Sequence, residues 1–155
     1  MGSTRVVVLG VGNAERGDDG AGRMVARLLK DTLPQTVEVI EHDGEATSLL
    51  AMLDGSASAY LIDACVSKSP PGTIHRIDAN REELPHVSSD MSTHGFGLAA
   101  AIELGRVLNQ LPAHVVVYAI EGKSFDAGAA LSEPVAAAVP LVAEKIRSEI
   151  AESLS

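Results

Sequence analysis

Two aspartates and one histidine have the residue types and positions of a metal site. Asp19 follows the first apolar run of the chain, Asp63 closes a later one, and His94 precedes a predicted helix. Two carboxylates and one imidazole suit a borderline divalent cation such as nickel, zinc or manganese, and they leave coordination positions open. Because a helix N-terminus disfavours imidazolium, His94 is expected to stay neutral and to keep a lone pair for a metal.

The acidic residues and the histidines also have structural interpretations, and a lone histidine in a loop, as His94 is predicted to be, is often only a surface residue. Asp18, beside Asp19, suits helix capping and the favourable field of a helix N-terminus. Asp43 with Gly44 can form a turn. Asp63 is harder to explain in this way. A carboxylate that ends an apolar strand is at least partly buried, so it needs either a partner for its charge or a functional role. The remaining histidines are interpreted as surface residues: His42, His75, His86 and His114.

The composition excludes several classes of protein. The chain has 155 residues, 46% of them apolar and 21% charged, which predicts one folded domain over residues 1–155. Twelve basic residues against 21 acidic ones give a net charge of −9, which disfavours nucleic acid and anionic membranes as partners. The apolar runs fall short of the ~18 residues of a membrane-spanning helix, and no signal-peptide pattern is present. We therefore expect a cytoplasmic protein.

Cys65 is the only cysteine, which excludes intramolecular disulfides and cysteine-rich zinc sites. It lies two residues beyond Asp63 and, in a strand, would share the face of that aspartate. No base partner for the thiol is evident in the sequence, so a nucleophilic role is disfavoured.

Apolar runs alternate with helical periods along the chain, which predicts an α/β fold. Buried strands are predicted at residues 5–12, 37–41, 59–64 and 115–120, and an edge strand, antiparallel to its neighbours, at 73–78. Helices are predicted at 19–33, 46–53, 97–111 and 133–154, and a loop at 84–93. The expected architecture is a three-layer sandwich: a mostly parallel, twisted five-stranded sheet with one antiparallel strand and helices on both faces. In such folds the ligand site lies at the carboxyl ends of the strands, where Asp19 and Asp63 fall.

Several familiar motifs are absent. The run that begins at Gly10 starts like a dinucleotide fingerprint, but Glu15 stands where the third glycine belongs. Residues 17–23 have the glycine spacing of a P-loop without its Lys-Ser/Thr. The nucleophile elbow of serine hydrolases and the His-Glu-x-x-His motif of zinc proteases do not occur.

A set of short motifs, in order along the chain, resembles the hydrogenase maturation peptidase family. The motifs are LGVGN at 9–13 with GDDGAG at 17–22, IDA at 62–64, STHGFGL at 92–98, AIE at 119–121, Gly128, and LSEPV at 131–135. The resemblance implies an endopeptidase that removes the C-terminal extension of a nickel-iron hydrogenase large-subunit precursor after nickel insertion.

The resemblance also implies the site. Matched by position, Asp19, Asp63 and His94 are the metal-contacting and catalytic residues. Nickel arrives with the precursor, and zinc, cadmium or manganese can occupy the same donors. The precursor is the expected partner, and the enzyme is expected to be a monomer.

Two segments depart from the family's pattern. Residues 119–122 read Ala-Ile-Glu-Gly where the family commonly has Gly-Ile-x-Pro, and residues 42–45 read His-Asp-Gly-Glu where Asp-Gly-Gly is frequent. Both departures bear on substrate specificity and leave the three metal positions intact. The alternatives are a non-catalytic divalent-metal binding module, which could use the same ligands, and a peptidyl-tRNA hydrolase, which would need a basic surface where this chain is acidic.

Overall fold

The computed structural model describes residues 5–82, 84 and 93–154, without the side chains of 93–97. Strands β1 to β5 span Val6–Val11, Val37–His42, Ser58–Cys65, Ile74–Asp78 and His114–Glu121. Helices α1 to α4 span Ala21–Leu29, Ala46–Leu53, Thr93–Val107 and Glu133–Leu154, and a 3₁₀ turn, Gly17–Gly20, precedes α1. Of the described helices, none is both long and apolar enough to cross a membrane.

The five strands form one sheet in the order β2-β1-β3-β5-β4. The first four of these run parallel, and β4 pairs antiparallel with β5 at the edge. The central strands β1 and β3 are apolar along almost their whole length and are buried on both faces, as parallel strands covered by helices are. The expected mixed sheet with one antiparallel edge strand is confirmed.

Helices cover both faces of the sheet and complete three layers. On one face, α1 and α4 pack against side chains such as Tyr60, Ile62 and Tyr118. On the other face, α2 and α3 pack against side chains such as Leu61 and Val117. Successive residues of β3 point to opposite layers, so Asp63 and Cys65 lie with Leu61 on the α2/α3 face.

Two predicted helices differ from the observed ones at their ends. The predicted helix 19–33 is a 3₁₀ turn followed by α1, which stops at Leu29, where the backbone N–H and the hydroxyl of Thr32 both donate to the Leu29 carbonyl. The predicted helix 97–111 is shifted to Thr93–Val107. Its end is set by Asn109, which has a left-handed φ of 56° typical of a helix C-terminus.

The two tyrosines of the chain provide a test of the core. Burial, followed by the charge of Glu149, raises the pKa of both Tyr60 and Tyr118, and the Tyr118 hydroxyl donates to Glu149. A free tyrosine ionises near pH ~10. We expect the folded protein to show clearly less phenolate absorbance at that pH than the denatured chain, which is half ionised there.

The raised pKa values also fix the sign of the stability change. Because the folded pKa of each phenol lies above the unfolded value of ~10, the unfolded chain loses these protons first as pH rises, so stability falls as pH rises through ~10. Because the chain has no tryptophan, ultraviolet difference absorbance reports the tyrosines cleanly. If both tyrosines of the folded protein were half ionised near pH ~10, their buried placement would be contradicted.

Candidate functional site

The carboxyl ends of β1 and β3 form the edge at which the chain reverses direction across the sheet. From β1 the chain passes outward to β2 and then returns to β3 on the other side of β1. This reversal is the switch point at which open α/β sheets bind ligands. Asp19, in the 3₁₀ turn after β1, and Asp63, in β3, both lie there and are both 4% exposed. The structure thus brings together two of the three predicted site residues.

Asp19 is oriented by the loop that leaves β1. The backbone N–H of Asn13 donates to Asp19 Oδ2 at 2.9 Å. Gly12 has a φ of +137°, and a Cβ at that position would strike the backbone carbonyl of Asp19. Only glycine combines that conformation with such a close approach, so Gly12 lets the loop fold back and place the Asp19 carboxylate over the strand end.

The helix α1 can approach this edge because small residues separate it from the sheet. A Cβ on Gly22 would collide with the backbone oxygens of Ile62 and Val11. The close contact presses the 3₁₀ turn and its aspartates onto the ends of β1 and β3. This explains part of the glycine spacing at 17–22.

Asp63 is a buried carboxylate beside a second one. Its burial, and then the negative charge of Asp19, raise the pKa of Asp63 well above its usual range, although the backbone N–H of Ala64 donates to Oδ1 at 2.8 Å and acts in the opposite direction. Two like charges held together away from water favour a shared proton or a bound cation. The pair therefore has the chemistry of a cation site.

His94 lies in the first turn of α3, which begins at Thr93. The sequence analysis placed it just ahead of a helix predicted to begin at residue 97, although the structure starts that helix four residues earlier, across Gly95 and Gly97, which have low helix propensity. Packing of Leu98 and Ile102 into the α2/α3 core overrides that preference. The side chain of His94 lies outside the described part of the chain, so its meeting with the two aspartates stays a prediction.

Asp18 does not cap a helix, and the capping interpretation is wrong. Its carboxylate reaches the segment 123–132: Oδ2 accepts from the backbone N–H groups of Lys123 and Ser124 at 2.7 and 3.0 Å. The backbone N–H of Ser132 donates to Oδ1 at 2.7 Å, and its hydroxyl donates to Oδ2 at 2.8 Å. Burial opposes the ionisation of Asp18, but these hydrogen bonds outweigh it and lower the pKa. Asp18 therefore holds the 3₁₀ turn after β1 against the segment 123–132, and we call this set of hydrogen bonds the Asp18 clamp.

The acidic residues after β2 have local structural roles. Asp43 Oδ1 accepts from the backbone N–H of Glu45 at 3.0 Å, which confirms the predicted turn. Glu45 caps α2, because its carboxylate accepts from the backbone N–H groups of Thr47 and Ser48 at 3.1 and 2.7 Å. Neither carboxylate is part of the Asp19–Asp63 pair.

The surface interpretation of the histidines is confirmed for His114 and wrong for His42, whereas His75 is partly exposed. His114 is exposed. His42 is buried: Nδ1 accepts from the backbone N–H of Gly44, which leaves Nε2 to donate to the Ser48 hydroxyl at 2.9 Å. His75 belongs to a polar cluster at the carboxyl ends of β3 and β5. His86 lies outside the described residues.

That polar cluster was not predicted from the sequence. Glu121 is 2% exposed, and its Oε2 accepts from the Ser67 backbone N–H at 2.7 Å. Its Oε1 accepts from the Ser67 hydroxyl at 2.6 Å and contacts His75 Nε2 at 3.2 Å. Burial works against the charge of Glu121, yet the hydrogen bonds from Ser67 and His75 outweigh it and lower the pKa. The only signal in the sequence was that Glu121 closes an apolar strand.

Cys65 is also part of the cluster. Its Sγ lies 3.6 Å from Glu121 Oε1. Burial, and then the charge of Glu121, raise the pKa of the Cys65 thiol to about 12. The thiol therefore keeps its proton at neutral pH, which supports the expectation that Cys65 is not a nucleophile.

A cleft of about 580 Å³ opens beside the loop that orients Asp19. It is lined by Asn13, Ala14, Glu15, Arg16, Ala127, Gly128 and Ala129. One wall is the loop that orients Asp19, and the other belongs to the segment that Asp18 holds. The volume lies within the range of sites that bind small ligands.

Comparison with known proteins gives consistent results for sequence and fold. A family model described as hydrogenase maturation protease matches residues 23–149. The hydrogenase expression/formation protein HupD of Rhodobacter capsulatus is 26% identical over 149 residues, which cover 92% of this chain and 70% of HupD.

Similar solved structures come from the same family as these sequence matches. The hydrogenase maturating endopeptidase HybD from E. coli is 27% identical, with a TM-score of 0.82, and the match covers 96% of this chain and 93% of HybD. The [NiFe] hydrogenase maturation protease HybD from Thermococcus kodakarensis is 26% identical, with a TM-score of 0.68 and coverage of 97% and 98%. With a family model that matches most of the chain and a shared sheet, the protein belongs to the hydrogenase maturation protease family and is a peptidase.

Proposed function

We propose that this peptidase removes the C-terminal extension of a nickel-iron hydrogenase large-subunit precursor after nickel has been inserted. Asp19, Asp63 and His94 contact the metal that the precursor carries. The observation that carries the proposal is the pair of buried carboxylates at the switch point, in a chain of the hydrogenase maturation protease family.

The donor set fits a metal that belongs to the substrate. Two carboxylates and one neutral imidazole are hard to borderline ligands, which hold nickel less firmly than thiolates do. Weak binding is an advantage here, because tight capture would strip the metal from the product. Zinc, cadmium and manganese suit the same donors. When bound, the metal serves as a recognition handle and supplies Lewis acidity near the scissile bond.

The placement of α3 supports the inclusion of His94. Leu98 and Ile102 pack into the same apolar core as Leu61, so α3 covers the sheet face on which Asp63 lies. A residue in the first turn of α3 experiences the positive end of the helix, which favours a neutral imidazole. A neutral imidazole has a lone pair for the metal.

The cleft beside Asp19 is the proposed seat of the precursor's C-terminal segment. Asn13 lines this cleft and also donates its backbone N–H to Asp19, so a peptide held there would lie near the loop that carries Asp19. The charge of the chain bears on the kind of partner. A net charge of −9 suits a protein partner rather than nucleic acid or an anionic membrane. The proposed enzyme is a cytoplasmic monomer.

The test compares nickel-loaded and nickel-free large-subunit precursors from the same genome. We expect the full-length chain to shorten the loaded precursor and to leave the nickel-free one intact, as measured by intact-protein mass spectrometry. His94→Ala and Asp19→Asn are expected to block processing of the loaded precursor, because each removes a metal contact.

Two outcomes would count against the proposal. Equal cleavage of both precursors would remove the role of the metal as a handle. No cleavage of any loaded precursor, together with tight nickel binding that Asp63→Asn abolishes, would favour a non-catalytic metal-binding module.

A further inference from the structure

Cys65, His75 and Glu121 meet at the ends of three neighbouring strands, and the proposed processing reaction does not use them. Cys65 in β3 is paired with Glu121 in β5, and His75 in β4 is paired with Ala119 in β5. Because β4 is antiparallel, its beginning lies beside the ends of β3 and β5. The topology thus joins a thiol, an imidazole and a carboxylate from three different strands.

Their ligand atoms have the spacing of a metal site. One atom from each of the three side chains lies within 4.8 Å of the other two. Glu121 Oε1 is 3.6 Å from Cys65 Sγ and 3.2 Å from His75 Nε2. In a tetrahedral zinc site with bonds of about 2.0–2.3 Å, neighbouring ligand atoms are roughly 3.3–3.8 Å apart. Only small movements would be needed to close these atoms around an ion.

We propose that Cys65, His75 and Glu121 form a second metal site, which binds a borderline divalent cation such as Zn²⁺. Sulfur, nitrogen and oxygen donors together favour such ions over calcium or magnesium. On binding, the metal–sulfur bond replaces the S–H bond, and the thiol proton passes to solvent. The hydrogen that His75 Nε2 donates to Glu121 in the metal-free chain is replaced by the metal, the imidazole keeps its single hydrogen on Nδ1 by tautomer exchange with solvent, and water completes the coordination.

The surroundings of the three residues support this site. Ser67 orients Glu121 through both carboxylate oxygens, as an outer partner of a metal ligand does. Cys65 and Glu121 are buried, whereas the His75 side chain is 25% exposed and gives an ion access from solvent. Within the described part of the chain, no lysine or arginine forms an ion pair with Glu121. Glu121 also lies in the 119–122 segment that departs from the family's pattern.

Cobalt titration tests the proposal without any processing assay, so it can fail or succeed independently of the proposed peptidase function. The full-length chain is stripped of metal with a chelator and titrated with Co²⁺, a spectroscopic substitute for Zn²⁺. We expect thiolate-to-cobalt charge-transfer absorption that saturates at one equivalent. Because the chain has one cysteine, this absorption can come only from Cys65. Zn²⁺ is expected to displace the cobalt and to raise Tm as its free concentration rises.

Matched variants assign the ligands. Cys65→Ser should abolish the absorption, and His75→Asn and Glu121→Gln should weaken cobalt binding by about tenfold or more. His114→Asn, at the far end of β5, and Asp63→Asn should keep the band. Absence of the band in the unaltered chain, or its persistence in Cys65→Ser, would overturn the proposal and leave a hydrogen-bonded network only. X-ray absorption of the zinc-loaded, unaltered chain gives a readout that needs no variant: one sulfur ligand supports the site, and none overturns it.

Discussion

Asp63→Asn is expected to lower the rate of processing of a nickel-loaded precursor by roughly 10³-fold, because a lost metal contact removes about 4 kcal/mol of transition-state stabilisation. The substitution keeps the size of the side chain, and its amide can still accept from the backbone N–H of Ala64, which now donates to Asp63 Oδ1 at 2.8 Å. The rate is measured as the appearance of the shortened large subunit. Processing at the unaltered rate would exclude Asp63 from the site.

Stability distinguishes lost chemistry from lost folding in this variant. The pKa of Asp63 is raised in the folded protein by burial and by Asp19, so its charge costs stability above the unfolded value of ~3.9. Without added metal, Asp63→Asn should therefore be more stable than the unaltered protein at neutral pH. That gain should vanish below pH ~4, where Asp63 is protonated in both states. Urea unfolding at several pH values measures the difference.

The matched control is Asp43→Asn, the same substitution at an exposed position after β2. Asparagine can keep the turn, since its side-chain oxygen can accept from the backbone N–H of Glu45 as Asp43 Oδ1 does. We expect processing within about twofold of the unaltered rate, as for surface substitutions in general. An equal loss of rate in both variants would mean that the net negative charge of the protein, rather than the carboxylate at position 63, supports the reaction.

Most of the fold could be predicted from local patterns. The strands β1 and β5 are rich in β-branched residues and β3 is mostly apolar, and α4 begins and ends where Pro134 and the apolar period indicated. Helix ends were predicted less well, because they depend on contacts that local propensity does not include. The start of α3 is such a case, since core packing of Leu98 and Ile102 outweighs two glycines.

The candidate site could be predicted only in part. Asp19 and Asp63 were indicated because both follow strands whose carboxyl ends meet at one edge. The role of Asp18 could not be read from its neighbours, since its partners lie 105 to 114 residues further along the chain. The cluster of Cys65, His75 and Glu121 depends on the register of an antiparallel edge strand, and no local pattern specifies that register.

Asp18→Ala is expected to cost about 2–4 kcal/mol of folding free energy, because it leaves the backbone donors of residues 123, 124 and 132 without their buried acceptor. The cost should depend on pH in a defined direction. The pKa of Asp18 is lowered in the folded protein, so its contribution is present above the unfolded value of ~3.9 and is lost as pH falls through the folded value. Urea unfolding should therefore show the two proteins converging in acid.

The clamp also links stability to substrate binding, because the segment that Asp18 holds supplies Ala127, Gly128 and Ala129 to one wall of the cleft. At temperatures where Asp18→Ala remains folded, we expect a higher KM for the precursor with a smaller change in kcat, since Asp19 and Asp63 are untouched. Asp126→Ala, on the exposed part of the same segment, is the control and should change stability by no more than about 0.5 kcal/mol. If the KM of Asp18→Ala equals that of the unaltered protein, the cleft is not where the precursor binds.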